Sequence, residues 1–89
     1  MAKILVAEDE EAVRSLVARV LSINDHDVKA VADGSAALEA LSLDQYDLLL
    51  TDIVMPNVDG IALALKASAE YPGLRILMMT GYAEQKRRA

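Results

Sequence analysis

The sequence predicts an α/β fold built around a parallel, doubly wound sheet. Short apolar runs alternate with helix-like segments along the chain, an alternation typical of right-handed crossovers between parallel strands. One run contains three consecutive leucines, Leu48–Leu50, and unbroken apolar runs are typical of strands buried on both faces. Hydrophobic residues make up 54% of the 89 residues, which fits a sheet covered by helices on both sides.

The predicted elements alternate as βαβαβαβ, and a further helix begins at the end of the chain. The predicted strands are Ile4–Ala7, Val28–Ala32, Tyr46–Thr51 and Leu74–Met79. The first predicted helix carries apolar residues three and four positions apart, namely Val13, Leu16, Val17, Val20 and Leu21. The other predicted helices are Ala36–Leu41, Ile61–Glu70 and Tyr82–Arg88. The turn before the second helix contains Asp33, which is a candidate helix cap.

Composition and charge exclude several classes of protein. The net charge of −5 argues against direct binding of nucleic acid, and the one basic cluster is Lys86–Arg88 at the end of the chain. The absence of cysteine excludes disulfides and thiolate metal sites. No apolar stretch approaches the roughly 18 residues of a membrane-spanning helix, and the N-terminus lacks the features of a signal peptide. We therefore expect a cytoplasmic protein that binds neither nucleic acid nor membrane.

Acidic and hydroxyl side chains come at the ends of three predicted strands. Glu8 and Asp9 follow the first strand, Asp52 follows the third and Thr80 follows the fourth. If the first and third strands are neighbours, as in the flavodoxin-like order 2-1-3-4-5, these carboxylates converge at one edge of the sheet. The first loop, Glu8–Glu11, is acidic throughout and has no glycine, so it does not fit the phosphate loop of a dinucleotide-binding fold.

The chemistry expected at this edge is phosphoryl transfer assisted by a cation. Converging carboxylates repel one another unless a proton or a divalent cation relieves the repulsion. A set of oxygen ligands without histidine or cysteine suits a hard cation such as Mg²⁺. A carboxylate beside Mg²⁺ can attack a phosphoryl group and form an acyl phosphate, which is the role expected of Asp52. Thr80 would then donate its hydroxyl to the transferred group.

Three stretches of the sequence resemble the receiver domain of two-component response regulators. They are Ile4–Glu10, Asp52–Gly60 and Ile76–Tyr82, and they occur in the family's order across essentially the whole chain. The resemblance implies a flavodoxin-like fold, with Asp52 as the phosphoacceptor of a signalling module rather than an enzyme. A histidine kinase or a phosphotransfer protein would supply the phosphoryl group, and a downstream protein target would read the phosphorylated state.

The resemblance also assigns residues to a metal site and to a switch. The implied Mg²⁺ ligands are Glu8, Asp9, Asp52 and the backbone carbonyl of Val54. Glutamate stands at the first of these positions, where the family more often has aspartate. Thr80 matches the family's switch hydroxyl, and the small Gly81 leaves room beside it for the phosphoryl donor.

The sequence departs from the family pattern at its C-terminal end. The family has a fifth strand, a lysine that pairs with the phosphate and a fifth helix, and none of the lysines in this chain occupies that place. We therefore expect residues 1–89 to form a receiver domain that is incomplete at its C-terminus, with strand order 2-1-3-4. Phosphorylation or its readout is expected to be impaired without the lysine. The uncovered strand edge and the apolar stripe of the first helix are expected to cause self-association into a homo-oligomer.

Two alternative functions stay open on the sequence. One is a receiver-like adaptor that acts without phosphorylation. The other is a Mg²⁺-dependent phosphatase of the haloacid dehalogenase kind, which also uses an aspartate nucleophile. Such phosphatases place a second aspartate two residues after the nucleophile as general acid, whereas this chain has Val54 there.

Overall fold

The structure, a computed structural model, describes residues 1–79. The predictions for Thr80, Gly81 and a helix over Tyr82–Arg88 lie outside the described residues. The elements, in chain order, are β1 (Lys3–Ala7), α1 (Glu11–Ile23), β2 (Asp27–Val31), α2 (Gly34–Leu43), β3 (Leu48–Asp52), α3 (Gly60–Glu70) and β4 (Arg75–Met79). The predicted alternation of strands and helices is confirmed. No helix in this part of the chain has the length and apolar character needed to cross a membrane.

Two elements differ from their predicted bounds near the site. β3 begins at Leu48 and includes Asp52 as its last residue. α2 begins at Gly34, before the predicted start, because the Asp33 side chain accepts a hydrogen bond of 2.7 Å from the Ala36 N–H. This bond satisfies one of the amide donors that lack an intrahelical partner at a helix start. Asp33 is therefore the helix cap that the sequence predicts.

The strands form one parallel sheet in the order β2-β1-β3-β4, as predicted. β1 lies beside β3, and Ala7 at the end of β1 pairs with Thr51. Asp52, the next residue of β3, pairs with Met79 at the end of β4. Because all strands run in the same direction, the residues at their C-terminal ends share one edge of the sheet, which we call the carboxyl edge.

The main core lies between the sheet and the helices α2 and α3. The side chains of Leu5 and Leu49 from the sheet and of Leu63 from α3 are fully buried there. α2 contributes Ala37 and Leu41 to the same cluster. Burial of this apolar surface is the main force that holds the helices against the sheet.

The opposite face of the sheet is only partly covered. α1 packs on β1 and β2, and none of its residues is buried. Leu48 and Leu50 are half-buried, so the prediction of a strand buried on both faces is wrong for β3. Leu77, which pairs with Leu50, is 58% exposed. Among the described helices, α1 packs on this face and contacts β1 and β2, which leaves Leu50 and Leu77 partly exposed.

The loop between β3 and α3 is held by its own backbone and by one helix cap. The Gly60 N–H donates to the Ile53 carbonyl over 2.8 Å, which closes the loop. Asn57 adopts a left-handed conformation with a φ of 67°, which asparagine tolerates better than most L residues do. Asp59 caps α3 by accepting a bond of 2.8 Å from the Ala62 N–H. These features fix the path of the chain that follows Asp52.

Replacing Asn57 by alanine is expected to lower the free energy of unfolding by about 1 kcal/mol, because alanine adopts a positive φ less readily. Asn57→Gly is expected to change it by less than about 0.5 kcal/mol, since glycine adopts this conformation freely. Urea denaturation of the two variants measures both values. Asp25 in the turn before β2 has a φ of 66°. The same two substitutions at Asp25 allow the effect of a positive φ to be compared at a position away from the carboxyl edge. Alanine and glycine variants of equal stability at position 57 would contradict the prediction.

Candidate metal centre

Three carboxylates lie together at the carboxyl edge of the sheet. One oxygen each from Glu8, Asp9 and Asp52 lies within 4.8 Å of the other two. Glu8 and Asp52 are fully buried, and Asp9 is half-buried. The structure thus brings together the three acidic side chains that the sequence places at the ends of β1 and β3.

Glu8 is fixed through both its backbone and its side chain. Its N–H donates to the Val31 carbonyl over 3.0 Å, which continues the pairing with β2 one residue beyond β1. Its carboxylate oxygen Oε2 accepts a bond of 2.8 Å from the Glu10 N–H. A buried carboxylate requires such donors because it has lost its hydration. These bonds hold the glutamate at the start of the loop that leads into α1.

Asp52 is fixed by its neighbours along the chain. Its Oδ1 accepts a bond of 2.7 Å from the Ile53 N–H, and its backbone carbonyl accepts one of 2.9 Å from the Thr51 hydroxyl. The Thr51 side chain is itself fully buried and also contacts the sulfur of Met55. The carboxylate therefore has a defined orientation at the end of the strand.

Two glycines at helix starts allow the backbones of α2 and α3 to pack closely against the loop at the site, because glycine has no Cβ atom. A Cβ atom added at Gly60 would lie 1.9 Å from the Asp52 carbonyl oxygen, and one added at Gly34 would lie 2.1 Å from the Val58 carbonyl oxygen. Non-bonded carbon and oxygen atoms do not approach so closely. The Asp59-Gly60 pair is typical of a turn and a cap, but nothing in the sequence pattern indicates that the glycine touches Asp52.

A cation also lies beside the acidic loop, and the sequence pattern does not point to it. The Arg14 side chain of α1 donates to the Glu8 carbonyl over 3.0 Å and to the Asp9 carbonyl over 3.4 Å. Helical periodicity indicates which residues of α1 face the sheet, but it does not indicate that a long side chain turns back to the preceding loop. The backbone of both acidic residues is thus bonded to α1.

A groove at the opposite edge of the sheet is not part of this site. It has a volume of about 910 Å³ and lies between the end of α2 and the turn before β4. Lys3 pairs there with Asp44 and lies over the ring of Tyr46. The hydrogen bond between the Lys3 and Asp44 side chains raises the pKa of Lys3 and lowers the pKa of Asp44. The Lys3 side chain is 34% exposed and that of Asp44 is 52% exposed, so solvent screens the pair and it contributes little to stability.

The carboxylate cluster fits a magnesium ion. Mg²⁺ takes six oxygen ligands at about 2.1 Å, so neighbouring ligand oxygens lie about 3 Å apart and opposite ones about 4.2 Å apart. The carboxylate oxygens lie up to 4.8 Å apart, and a bridging water or a small contraction closes that difference. Val54, whose carbonyl is the fourth predicted ligand, is half-buried in the loop after Asp52.

Comparison with known proteins identifies the family. The sequence model of one protein family, the response regulator receiver domain, matches residues 4–89. The chain belongs to this family. The response regulator receiver protein CpdR of Brucella abortus (strain 2308) is 41% identical over 83 residues, which are 93% of this chain and 69% of CpdR. The sensor protein EvgS of Escherichia coli O157:H7 is 40% identical over 85 residues, which are 96% of this chain and only 7% of EvgS.

Solved structures share the fold of this receiver. The response regulator TrrA from Thermotoga maritima in complex with Mg²⁺ and BeF has a TM-score of 0.88 at 28% identity, over 98% of this chain and 76% of that chain. TrrA in complex with the histidine kinase ThkA has a TM-score of 0.85 at 29% identity, over 92% of this chain and 71% of that chain. The predicted flavodoxin-like receiver fold is therefore confirmed.

Gly60→Ala is expected to displace the Asp52 backbone, because the added methyl group would overlap the Asp52 carbonyl oxygen. The free energy of unfolding of the receiver is expected to fall by about 1–3 kcal/mol, and its Mg²⁺ affinity by about tenfold. Chemical denaturation and isothermal titration with magnesium chloride measure the two effects.

Gly73→Ala is the matched control, since a Cβ atom there meets nothing within 4 Å. It is expected to change the free energy of unfolding by less than about 0.5 kcal/mol and to leave Mg²⁺ affinity as it is. If the two alanine variants behaved alike, the contact between Gly60 and Asp52 would have no role in holding the site.

Proposed function

We propose that residues 1–89 act as a receiver that accepts a phosphoryl group on Asp52 from a histidine kinase or a phosphotransfer protein. The observation that carries the proposal is the cluster of Glu8, Asp9 and Asp52, with oxygens within 4.8 Å of one another at the carboxyl edge. The complexes of the similar protein TrrA with Mg²⁺ and BeF and with a histidine kinase support both the ion and the donor.

In this proposal four groups of the chain bind Mg²⁺. They are the carboxylates of Glu8, Asp9 and Asp52 and the backbone carbonyl of Val54. The bound ion supplies positive charge that offsets the repulsion between these carboxylates and an incoming phosphoryl group. The Glu10 N–H on the Glu8 carboxylate, at 2.8 Å, holds one ligand in place. The Ile53 N–H, at 2.7 Å, orients the carboxylate that reacts.

The reaction transfers a phosphoryl group from a ring nitrogen to a carboxylate. An oxygen of Asp52 forms a bond to phosphorus while the phosphorus–nitrogen bond of the donor phosphohistidine breaks. The electron pair of that bond stays on the ring nitrogen. The imidazole leaves as a neutral ring, because its other nitrogen carries the proton. The product is an acyl phosphate on Asp52, and no further reactant is consumed.

The response to phosphorylation is assigned to Thr80, with Gly81 leaving room for the donor. Met79, the residue before Thr80, pairs with Asp52 in the sheet. Both assigned residues lie outside the described residues, so this part of the proposal rests on the sequence. Contact between the Thr80 hydroxyl and the transferred phosphoryl group would shift a two-state equilibrium, and a downstream protein target would read that change.

The proposed role is a signalling role without catalytic turnover. Val54 stands two residues after Asp52, and its side chain transfers no protons, so the chain lacks the general acid of the alternative phosphatase at that position. The net charge of −5 supports protein partners rather than nucleic acid. A cytoplasmic location, expected from the sequence, stays a prediction.

Labelling with acetyl phosphate in the presence of Mg²⁺ tests the acceptor. The wild-type chain is expected to gain one phosphoryl group by intact mass, and Asp52→Asn is expected to gain none, because a carboxamide does not act as the nucleophile. Asp27→Asn is the control, since it removes an exposed carboxylate at the opposite edge of the sheet. It is expected to be labelled like the wild type.

The other outcomes of this experiment favour other functions. A wild-type chain that binds Mg²⁺ but is not labelled would support the adaptor that acts without phosphorylation. Release of nitrophenol from p-nitrophenyl phosphate would support the phosphatase.

We also propose that the chain self-associates through an apolar surface, which we call the α1 surface. Its residues, with their exposed fractions, are Leu16 (61%), Val20 (49%) and Ile23 (72%). A second apolar position for contact between copies is Leu77, which is 58% exposed on β4, a strand that pairs with β3 alone among residues 1–79. Contact between two copies would remove this apolar surface from water. Each Å² of apolar area buried would stabilise the homo-oligomer by about 25 cal/mol.

Leu16→Glu is expected to raise the dissociation constant of the homo-oligomer at least about tenfold, because the contact would bury an unpaired charge. Sedimentation equilibrium over a concentration series measures the change. Leu43→Glu is the control, since Leu43 is 78% exposed at the end of α2 and lies outside the α1 surface. A wild-type chain that stays monomeric at high concentration would contradict the proposal.

A further inference from the structure

The guanidinium of Arg14 is bonded to the backbone of the loop that carries two of the three clustered carboxylates. Its Nη1 donates to the Glu8 carbonyl over 3.0 Å and to the Asp9 carbonyl over 3.4 Å. The backbone N–H of the same residue donates to the Glu10 carbonyl over 2.9 Å, close to the start of α1. Arg14 therefore contacts three successive carbonyls between β1 and α1.

Arg14 lies where the helix dipole disfavours a positive charge and the acidic loop before the helix favours one. It lies close to the N-terminus of α1, where the helix dipole disfavours a cation. The preceding residues, Glu8–Glu11, supply four carboxylates, and the bonded carbonyls add their own partial negative charge. These groups stabilise the guanidinium in a place where the helix alone would not.

We propose that Arg14 is a positioning residue for the Mg²⁺ site: its bonds fix the loop so that Glu8 and Asp9 meet Asp52 before the ion binds. The inference rests on the proposed function, because it concerns the ion that assists phosphoryl transfer. Without these bonds the loop occupies other conformations, and the apparent affinity falls with the fraction of molecules that are competent to bind. Arg14 acts through the two carbonyls and not by touching the ion.

Charge and geometry make opposite predictions for the loss of Arg14. On charge alone, removal of a cation near the site strengthens the binding of Mg²⁺. On geometry, removal of the two hydrogen bonds loosens two ligands and weakens binding. Changes in the outer hydrogen bonds of a metal site typically lower affinity by roughly 10–100-fold, so we expect geometry to prevail. The sign of the change therefore distinguishes positioning from a simple effect of charge.

Isothermal titration of the 89-residue chain with magnesium chloride tests the proposal. Arg14→Ala is expected to weaken Mg²⁺ binding about tenfold. Arg19→Ala is the matched control, because it removes the same charge from an exposed position of the same helix, and it is expected to change affinity by less than about twofold. Arg14→Lys keeps the charge without the planar donors and is expected to recover affinity only in part.

Each outcome supports or overturns the proposal. Mg²⁺ binding by Arg14→Ala that is as tight as that of Arg19→Ala would overturn the role of Arg14 and leave the proposed function intact. A wild-type chain that binds no Mg²⁺ would overturn both. Thermal unfolding of the same variants without Mg²⁺ shows whether a variant that binds Mg²⁺ weakly is also less stable, and so separates a loss of positioning from a loss of stability. If Arg14→Ala does not fold, the decision passes to Arg14→Lys and Arg14→Gln, and wild-type affinity in both would overturn the proposal.

Discussion

The pairing of β1 with β3 is the constraint on which the rest of the molecule depends. It places Ala7 beside Thr51, so the acidic residues that follow β1 meet the aspartate that ends β3. A strand inserted between them would move the two groups to about 10 Å apart, because neighbouring strands lie about 4.8 Å apart. Burial of Leu5 and Leu49 holds this pairing together, while the like charges at its end act against it. The core therefore stabilises an arrangement that its own carboxylates oppose.

Contacts with the main chain help to hold the described carboxylates in place. Glu8 is fixed by backbone partners on two sides, and its carbonyl accepts from Arg14. The carbonyl of Asp52 lies against Gly60, where no side chain intervenes. Backbone dipoles carry no net charge and do not titrate, so they position acidic groups without neutralising them.

Much of this arrangement follows from patterns that are local in the sequence, whereas the rest depends on packing. The run Leu48–Leu50 and the alternation of strands and helices predict the parallel sheet, and strand order then predicts that the carboxylates converge. The half-burial of Leu50 was not predictable, because it depends on where α1 lies over the sheet. The contact of Gly60 with Asp52 joins backbone atoms that only the folded loop brings together. The roles of the site residues, including Thr80 beyond the described residues, stay predictions.

The two glycines at the helix starts have a mechanical consequence. Gly34 at the start of α2 lies against the carbonyl group and the Cβ atom of Val58, and Gly60 at the start of α3 lies against the backbone of Asp52. No flexible side chain lies between these backbones to absorb a displacement. A shift of the loop after Asp52 would therefore displace the start of α2 or α3, and a helix moves largely as a stiff rod. A chemical change at the carboxyl edge would in this way reach the far ends of α2 and α3.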